Sequence, residues 1–300
     1  MTGARMSREH SDPGEPDRVV LHARDVEFDW ARLPMHWVPG EPFATHMINV
    51  LHLLLPEGER WFVEVFKQAL PLIKDDHLLE DVRGFIGQEA MHAESHQGVV
   101  DHFDAHGLDT TRYVEQVTWV FRKVLGDRPY EGERREEWLV ERLALVAAIE
   151  HFTAFLGQWI LDAEELDEVG ADPTMLDLLR WHGAEEVEHR SVAYDLYMHV
   201  DGRYGRRARA MVIAVVALTV LWARGVRYLM RHDPVLRGSR KARWRDLLRT
   251  GKLGLTPSYW QMLRALPAFF RRSYHPSQHG STSQAIAYLA QSPAARAAEH

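Results

Sequence analysis

The sequence predicts an all-α protein, a four-helix bundle with a crossover helix and additional C-terminal helices. Three observations carry this. Helical signals dominate the chain and strand signals are sparse. Two Glu-x-x-His pairs, Glu89/His92 and Glu186/His189, each lie inside a long apolar stretch. Each pair is preceded by a stretch with a further glutamate, Glu59 and Glu150, so the order reads Glu, Glu-x-x-His, Glu, Glu-x-x-His. A four-helix bundle supplies ligands to two metal ions in that order.

The elements follow along the chain. Residues 1–25 form an expected disordered leader: the start is polar, with Pro13, Gly14 and Pro16, and has no apolar run of a secretory signal. Asp29 to Thr45, rich in Trp and Pro, reads as an extended lead-in. A short helix is expected over Met47–Leu55. Pro56 suits the first turn of the next helix, which runs to about Ile73 with Glu59 near its positive end. Asp75 and Asp76 can cap a long helix from His77 to His106, ended by Gly107. A connecting helix runs from Asp109/Thr110 to Leu125, where Gly126, Pro129 and Gly132 break it. The next long helices are Arg134 to Leu166 and, after Gly170 and Pro173, Thr174–Val200. The segment Thr111–Leu125 can supply the crossover of a ferritin-like bundle. The bundle domain is expected over residues 26–232 and a basic C-terminal helical extension over 233–300. Within the helix Arg207–Arg231, the uncharged run Ala210–Ala223 is shorter than the roughly 20 residues of a membrane span. It suits a helix packed on the bundle, or one lying on a membrane with its arginines reaching to the headgroups.

Composition narrows the chemistry. Cysteine is absent, which excludes disulfides, thiolate zinc sites and thiol nucleophiles and suits a reducing, cytoplasmic setting. The net charge of −7 hides an asymmetry: residues 201–300 hold 18 Lys/Arg and 4 Asp/Glu. A basic third of this kind attracts an anionic partner, such as a membrane surface or an acidic carrier protein, or else packs on its own acidic bundle. The first case allows a peripheral place at the inner membrane. No groove-reading motif or zinc module is visible, which argues against nucleic acid. A homodimer is compatible with everything read so far.

With 24 Glu and 18 His in the chain, composition alone would supply such pairs, so their placement carries the argument. At about 100° per residue, Glu89, His92 and His96 share one helix face, as do His182, Glu186 and His189. Glu185 fits the second face as well as Glu186 does, although i, i+3 spacing favours Glu186. Glu150 sits among Ala147, Ala148, Ile149 and Phe152, where an unpartnered carboxylate would protonate or find a cation. Alternatives stay open: Glu59 could complement a helix N-terminus, His92 and His96 could be core histidines, and Glu185 and Glu186 could face solvent. His151 points about 100° away from Glu150 and reads as a packing residue or a support behind the ligands. Mixed carboxylate and imidazole ligands suit Fe, Mn or Zn.

The stretches PEGERWF (56–62), FIGQEAMHAESH (85–96), AAIEHFTA (147–154) and WHGAEEVEHRSVAYDLY (181–197) resemble a bacterial family described as predicted metal-dependent hydrolase. The likeness covers roughly residues 25–235. The arrangement His182-x3-Glu186-x2-His189 is also similar to ferritin-like di-iron enzymes of the p-aminobenzoate N-oxygenase type. That resemblance implies seven ligands: Glu59, Glu89, His92, Glu150, His182, Glu186 and His189. It leaves His96 without a ligand role, as a supporting or substrate-side residue, beside Glu185 and His151, which the reading of the residues themselves places as supporting candidates. It further implies two iron ions, with Mn or Zn as alternatives, and O2-dependent oxidation or oxygenation of a small organic or acyl substrate. Metal-dependent hydrolysis of an ester or phosphate and a non-enzymatic iron-binding role are the other readings.

Overall fold

The computed structural model describes residues 19–239 and 241–299. Among these residues every regular element is helical. The bundle is made by α1 (Pro42–Ala69), α2 (Asp76–Ala105), α4 (Glu133–Asp162) and α6 (Pro173–His189), with α3 (Thr111–Trp119) between the two halves and the short α5 (Glu165–Glu168) leading into α6. Helix α1 packs on α2 and α4 on α6, and the contacts α1–α4 and α2–α6 close the set. The Asp75 cap works as the sequence suggests, its side chain accepting from the Leu78 amide, and Asp172, which the sequence reading did not single out, accepts from the amides of Thr174 and Met175.

Helix α1 corrects one expectation. No break occurs at Pro56, which lies inside a single 28-residue helix that starts at Pro42. An interior proline forfeits one backbone bond and costs about 3 kcal/mol. The turns on either side bury Leu53, Leu54, Trp61, Phe62 and Phe66, each worth roughly 1.5–3 kcal/mol. Burial wins, so Glu59 stands in mid-helix and has no helix N-terminus to complement.

A second correction concerns the last bundle helix, which is not continuous to Val200. It stops at His189, and α7 (Val192–Val200) begins after a turn at Arg190 and Ser191. The Arg190 guanidinium folds back onto the Val187 carbonyl, the acceptor that helix continuation would have used.

Close backbone approach matters at two places. A Cβ on Gly157 would lie 2.5 Å from the Gly183 carbonyl oxygen, so this glycine pair sets how near α4 and α6 come beside the cluster described below. A Cβ on Gly84 would lie 2.5 Å from Leu21, so α2 admits the N-terminal segment along its surface. Of the expected leader, residues 1–18 lie outside the described residues. Residues 19–25 run without helix against α2, and Arg24 is buried. The lead-in continues over the α2/α6 side, where Phe28 packs near Trp181 and the Asp172 amide donates to the Trp37 carbonyl.

The opposite side carries α8 (Tyr204–His232), which lies on α1 and α4, then α9 (Trp244–Lys252) on α1 and α10 (Tyr259–Phe269) on α9. Part of the basic C-terminal third pairs with bundle carboxylates: Arg206 and Arg209 with Glu141, and Arg249 with Glu41. By length and composition α8 could cross a membrane, and only 28% of its most apolar window is buried.

Candidate metal centre

All seven residues expected as ligands meet in the middle of the bundle, and none is more than 6% exposed. Helix α1 contributes Glu59, α2 Glu89 and His92, α4 Glu150, and α6 His182, Glu186 and His189. The i, i+3 and i, i+4 spacings stack the α2 and α6 side chains over successive turns, so each helix offers more than one donor at a single level.

Two groups of donor atoms are joined by shared carboxylates. His182 Nε2 lies 3.6 Å from Glu59 Oε1 and 2.8 Å from Glu186 Oε1. His92 Nδ1 lies 3.7 Å from Glu186 Oε1 and 3.8 Å from Glu89 Oε1. On the other side, His189 Nε2 lies 3.3 Å from Glu89 Oε1, 3.5 Å from Glu150 Oε2 and 3.4 Å from Glu186 Oε2. Glu89 and Glu186 therefore face both groups, and Glu186 does so with one oxygen each way.

Electrostatics make the cluster a poor resting place without a cation. Both oxygens of Glu59 and Glu89, Glu150 Oε2, Glu186 Oε2, His92 Nδ1 and His189 Nε2 are buried without a hydrogen-bond partner. Burial, then the charges of Glu186 and Glu150, push Glu59 well above the ordinary carboxylate range. Glu89 is raised by burial and then by Glu150 and Glu186. Burial and Glu186 raise Glu150 to about 7. Burial would lower His189, but the nearby charges of Glu186 and Glu150 hold it up at about 10. Burial, and then the neighbouring His182, lower His92 to about 4. Four carboxylates buried this closely call for positive charge between them. The orphaned atoms all sit where ions would take them up, so the donor set fits a pair of carboxylate/imidazole-bound metal ions.

The ring nitrogen of each histidine that faces away from the cluster is tied down. His92 Nε2 meets Glu185 Oε2 at 2.9 Å, and Arg24 Nη1 donates to Glu185 Oε1 at 2.5 Å. His189 Nδ1 meets Gln88 Oε1 at 3.0 Å. His182 Nδ1 meets His96 Nε2 at 2.7 Å, and His96 Nδ1 meets His52 Nδ1 at 2.7 Å. Such contacts fix ring orientation and tautomer. They also separate Glu185 from Glu186: Glu186 faces the cluster, whereas Glu185 bonds the outer nitrogen of His92 and Arg24. His96 supports His182 as the sequence suggests. His151 does not stand behind the ligands; its ring bonds Tyr274 Oη at 2.7 Å and the Ala265 carbonyl at 3.0 Å, anchoring the C-terminal layer.

Three supporting residues escaped the sequence reading. Arg24 lay in the expected leader, with no local signal. Gln88 was overshadowed by its neighbour Glu89. His52 is seven residues before Glu59, a same-face spacing that becomes visible only once Pro56 is accepted inside one helix.

A separate cluster, His36, His46 and Asp233, also brings three donor atoms together. Trp37 Nε1 can only donate, and it donates to Asn49 Oδ1 at 2.8 Å, which leaves Asn49 Nδ2 facing His46 Nδ1 at 3.5 Å. His46 must then carry its proton on Nε2, where it donates to Asp233 Oδ2 at 2.7 Å. That nitrogen is spent on a hydrogen bond, and the cluster is a clasp joining the lead-in, α1 and the end of α8.

No curated protein and no solved structure matches the chain. A family model does, over residues 22–280, beyond the span where the sequence likeness was read. With its buried Glu and His clusters able to hold metal, the chain belongs to the family described as predicted metal-dependent hydrolase.

Proposed function

We propose that the chain is a dinuclear metal enzyme of ferritin-like type that oxidises or oxygenates a small organic or acyl substrate with O2. The observation that carries this is the doubled cluster, two donor groups sharing Glu89 and Glu186. Glu59, His92 and His182 would hold one ion and Glu150 and His189 the other, with Glu89 and Glu186 between them. The arrangement of α1, α2, α4 and α6, with donors in the order Glu, Glu-x-x-His, Glu, Glu-x-x-His, supports the ferritin-like reading, as does the third histidine, His182, found in the N-oxygenase type. Iron is the metal assigned; manganese and zinc suit the same donors. When bound, a pair of redox-active ions supplies the electrons and the open coordination positions that O2 chemistry needs.

The chain's own part is to hold charge and exclude water. Glu185 and Gln88 accept from the outer N–H groups of His92 and His189, which leaves the inner nitrogens as lone-pair donors. By the same logic His182 Nδ1–H donates to His96, and His96 donates on to His52. Burial lowers His52 to about 3 and His96 well below the ordinary imidazole value. These two histidines are therefore neutral, and neither is a charged general acid of the kind that would assist hydrolysis. Metal-dependent hydrolysis of an ester or phosphate is the second reading, favoured by the family description.

Metal content by mass spectrometry, on protein from cells given both iron and manganese, tests the first step. Two irons per chain, lost in Glu150→Ala, are expected. Turnover that needs O2 and a reductant would follow. Full turnover under strict anaerobiosis with zinc would sink the oxidative reading and leave hydrolysis.

A further inference from the structure

The layer formed by α8, α9 and α10 presents apolar side chains to solvent. On α8 they are Val212, Ile213, Val216 and Val220, the last three repeating at helical spacing on one face. On α9 and α10 they are Trp244, Leu248, Tyr259, Trp260 and Leu263, with Trp244 at 68% and Trp260 at 67% exposed. All three helices lie on the α1/α4 side of the bundle. Cations surround these residues. Arg227, Arg231, Arg245, Lys252 and Arg264 are exposed, and among the described residues none forms an ion pair with a carboxylate. They differ from Arg206, Arg209 and Arg249, which the bundle's own carboxylates take up. The basic surplus of residues 201–300 is therefore only partly satisfied within the chain, and the remainder borders the exposed apolar side chains.

We propose that this face docks peripherally on the surface of an anionic phospholipid bilayer. Tryptophan and tyrosine favour the headgroup level, where one end of the ring is wet and the other apolar. Helices α9 and α10 are short and amphipathic, with the exposed apolar residues at i, i+4 spacing, as in helices that lie in the plane of an interface. The unpaired arginines and lysine match the negative surface potential of such a leaflet. A second copy of the chain fits less well, because a two-fold contact would set this face against itself, cation against cation. An acidic protein would satisfy the cations and leave the uncharged valine row of α8 without an apolar partner. The proposal does not depend on the chemistry of the metal centre.

The test is co-sedimentation of the full chain with phosphatidylcholine vesicles, with and without a minority of phosphatidylglycerol. Binding to the anionic vesicles at least about tenfold tighter than to neutral ones is expected. It should weaken severalfold at ~0.5 M salt. Trp244→Ser/Trp260→Ser and Arg245→Glu/Arg264→Glu should each reduce it about tenfold, with helicity and metal content unchanged. Three results would overturn the proposal: no binding at low salt, equal binding to neutral vesicles, or retention through an alkaline carbonate wash, which would mean that α8 spans the bilayer. A dimer dispersed by Trp244→Ser/Trp260→Ser in a chain that ignores vesicles would assign the face to a second copy, and overturn it too.

Discussion

Glu185 and Glu186 are neighbours in sequence and differ in every contact. Glu186 is shared between three histidines of the cluster, whereas Glu185 is held by Arg24 and the outer nitrogen of His92. Their positions on the helix face cannot separate them; the i, i+3 spacing to His189 favours Glu186, which is the one that faces the clustered histidines. The deciding contact comes from Arg24, which is remote in sequence. Two variants test the distinction. Glu186→Gln should abolish binding of both ions, because its two oxygens face both donor groups. Arg24→Ala should keep two ions but weaken affinity by about 10–100-fold, as outer contacts to metal-binding histidines do. A competition titration against a chelator measures both. Equal losses in the two variants would erase the assigned difference. That the seven expected residues gather at one place was legible because those on α2 and α6 lie on helix faces at fixed spacing. Arg24, Gln88 and His52 were not, because their roles arise from tertiary contact.

At the scale of elements, the reading was sound wherever local chemistry decides. Asp75 caps as expected, and Gly107 lies just past the end of α2 in the left-handed region. It failed at Pro56, where a local rule against interior proline lost to apolar burial on both sides. It failed again at Arg190, where a side chain took a backbone acceptor. The approach of α4 to α6 gives a prediction of its own. Gly183→Ala would place a methyl group 2.6 Å from Ile160 Cγ2 and 3.0 Å from the Gly157 Cα. Overpacking of this kind costs about 1–3 kcal/mol, so urea unfolding should show a lower midpoint with an unchanged slope. Gly205, where an added Cβ meets nothing within 4 Å, is the control; Gly205→Ala should leave the midpoint unchanged or slightly raised.

For the whole molecule, the clasp of His36, His46 and Asp233 ties the two ends of the fold together. Burial would raise Asp233, but the bonds from His46 and His36 hold it well below the ordinary carboxylate range. Its contribution is therefore complete above that range and is lost as pH falls through the depressed value. His46 is kept neutral, chiefly by burial. The unfolded chain takes up its proton first, so stability also declines as pH drops below the ordinary imidazole value of 6.5. Urea midpoints should fall between about pH 7 and pH 5, and His46→Gln should flatten that fall; an unchanged slope would place the titration elsewhere. Metal removal should lower the melting temperature, since ligand binding to the folded state alone adds stability. Apo protein melting no lower than holo would separate the cluster from the fold. The helical class and the gathering of the Glu and His residues on the bundle helices were legible in the sequence. The wrapping of the lead-in and the clasp were not, because each joins residues far apart in the chain. The same distance bears on biosynthesis. Arg24 leaves the ribosome before its partner Glu185, which follows 161 positions later. Until α6 is released, Glu59, Glu89 and Glu150 are carried on nascent helices with no histidine from α6 beside them. Metal loading should then follow translation of the bundle rather than accompany it, and yield in a heterologous host should respond to metal supply during chain completion and to chaperone capacity.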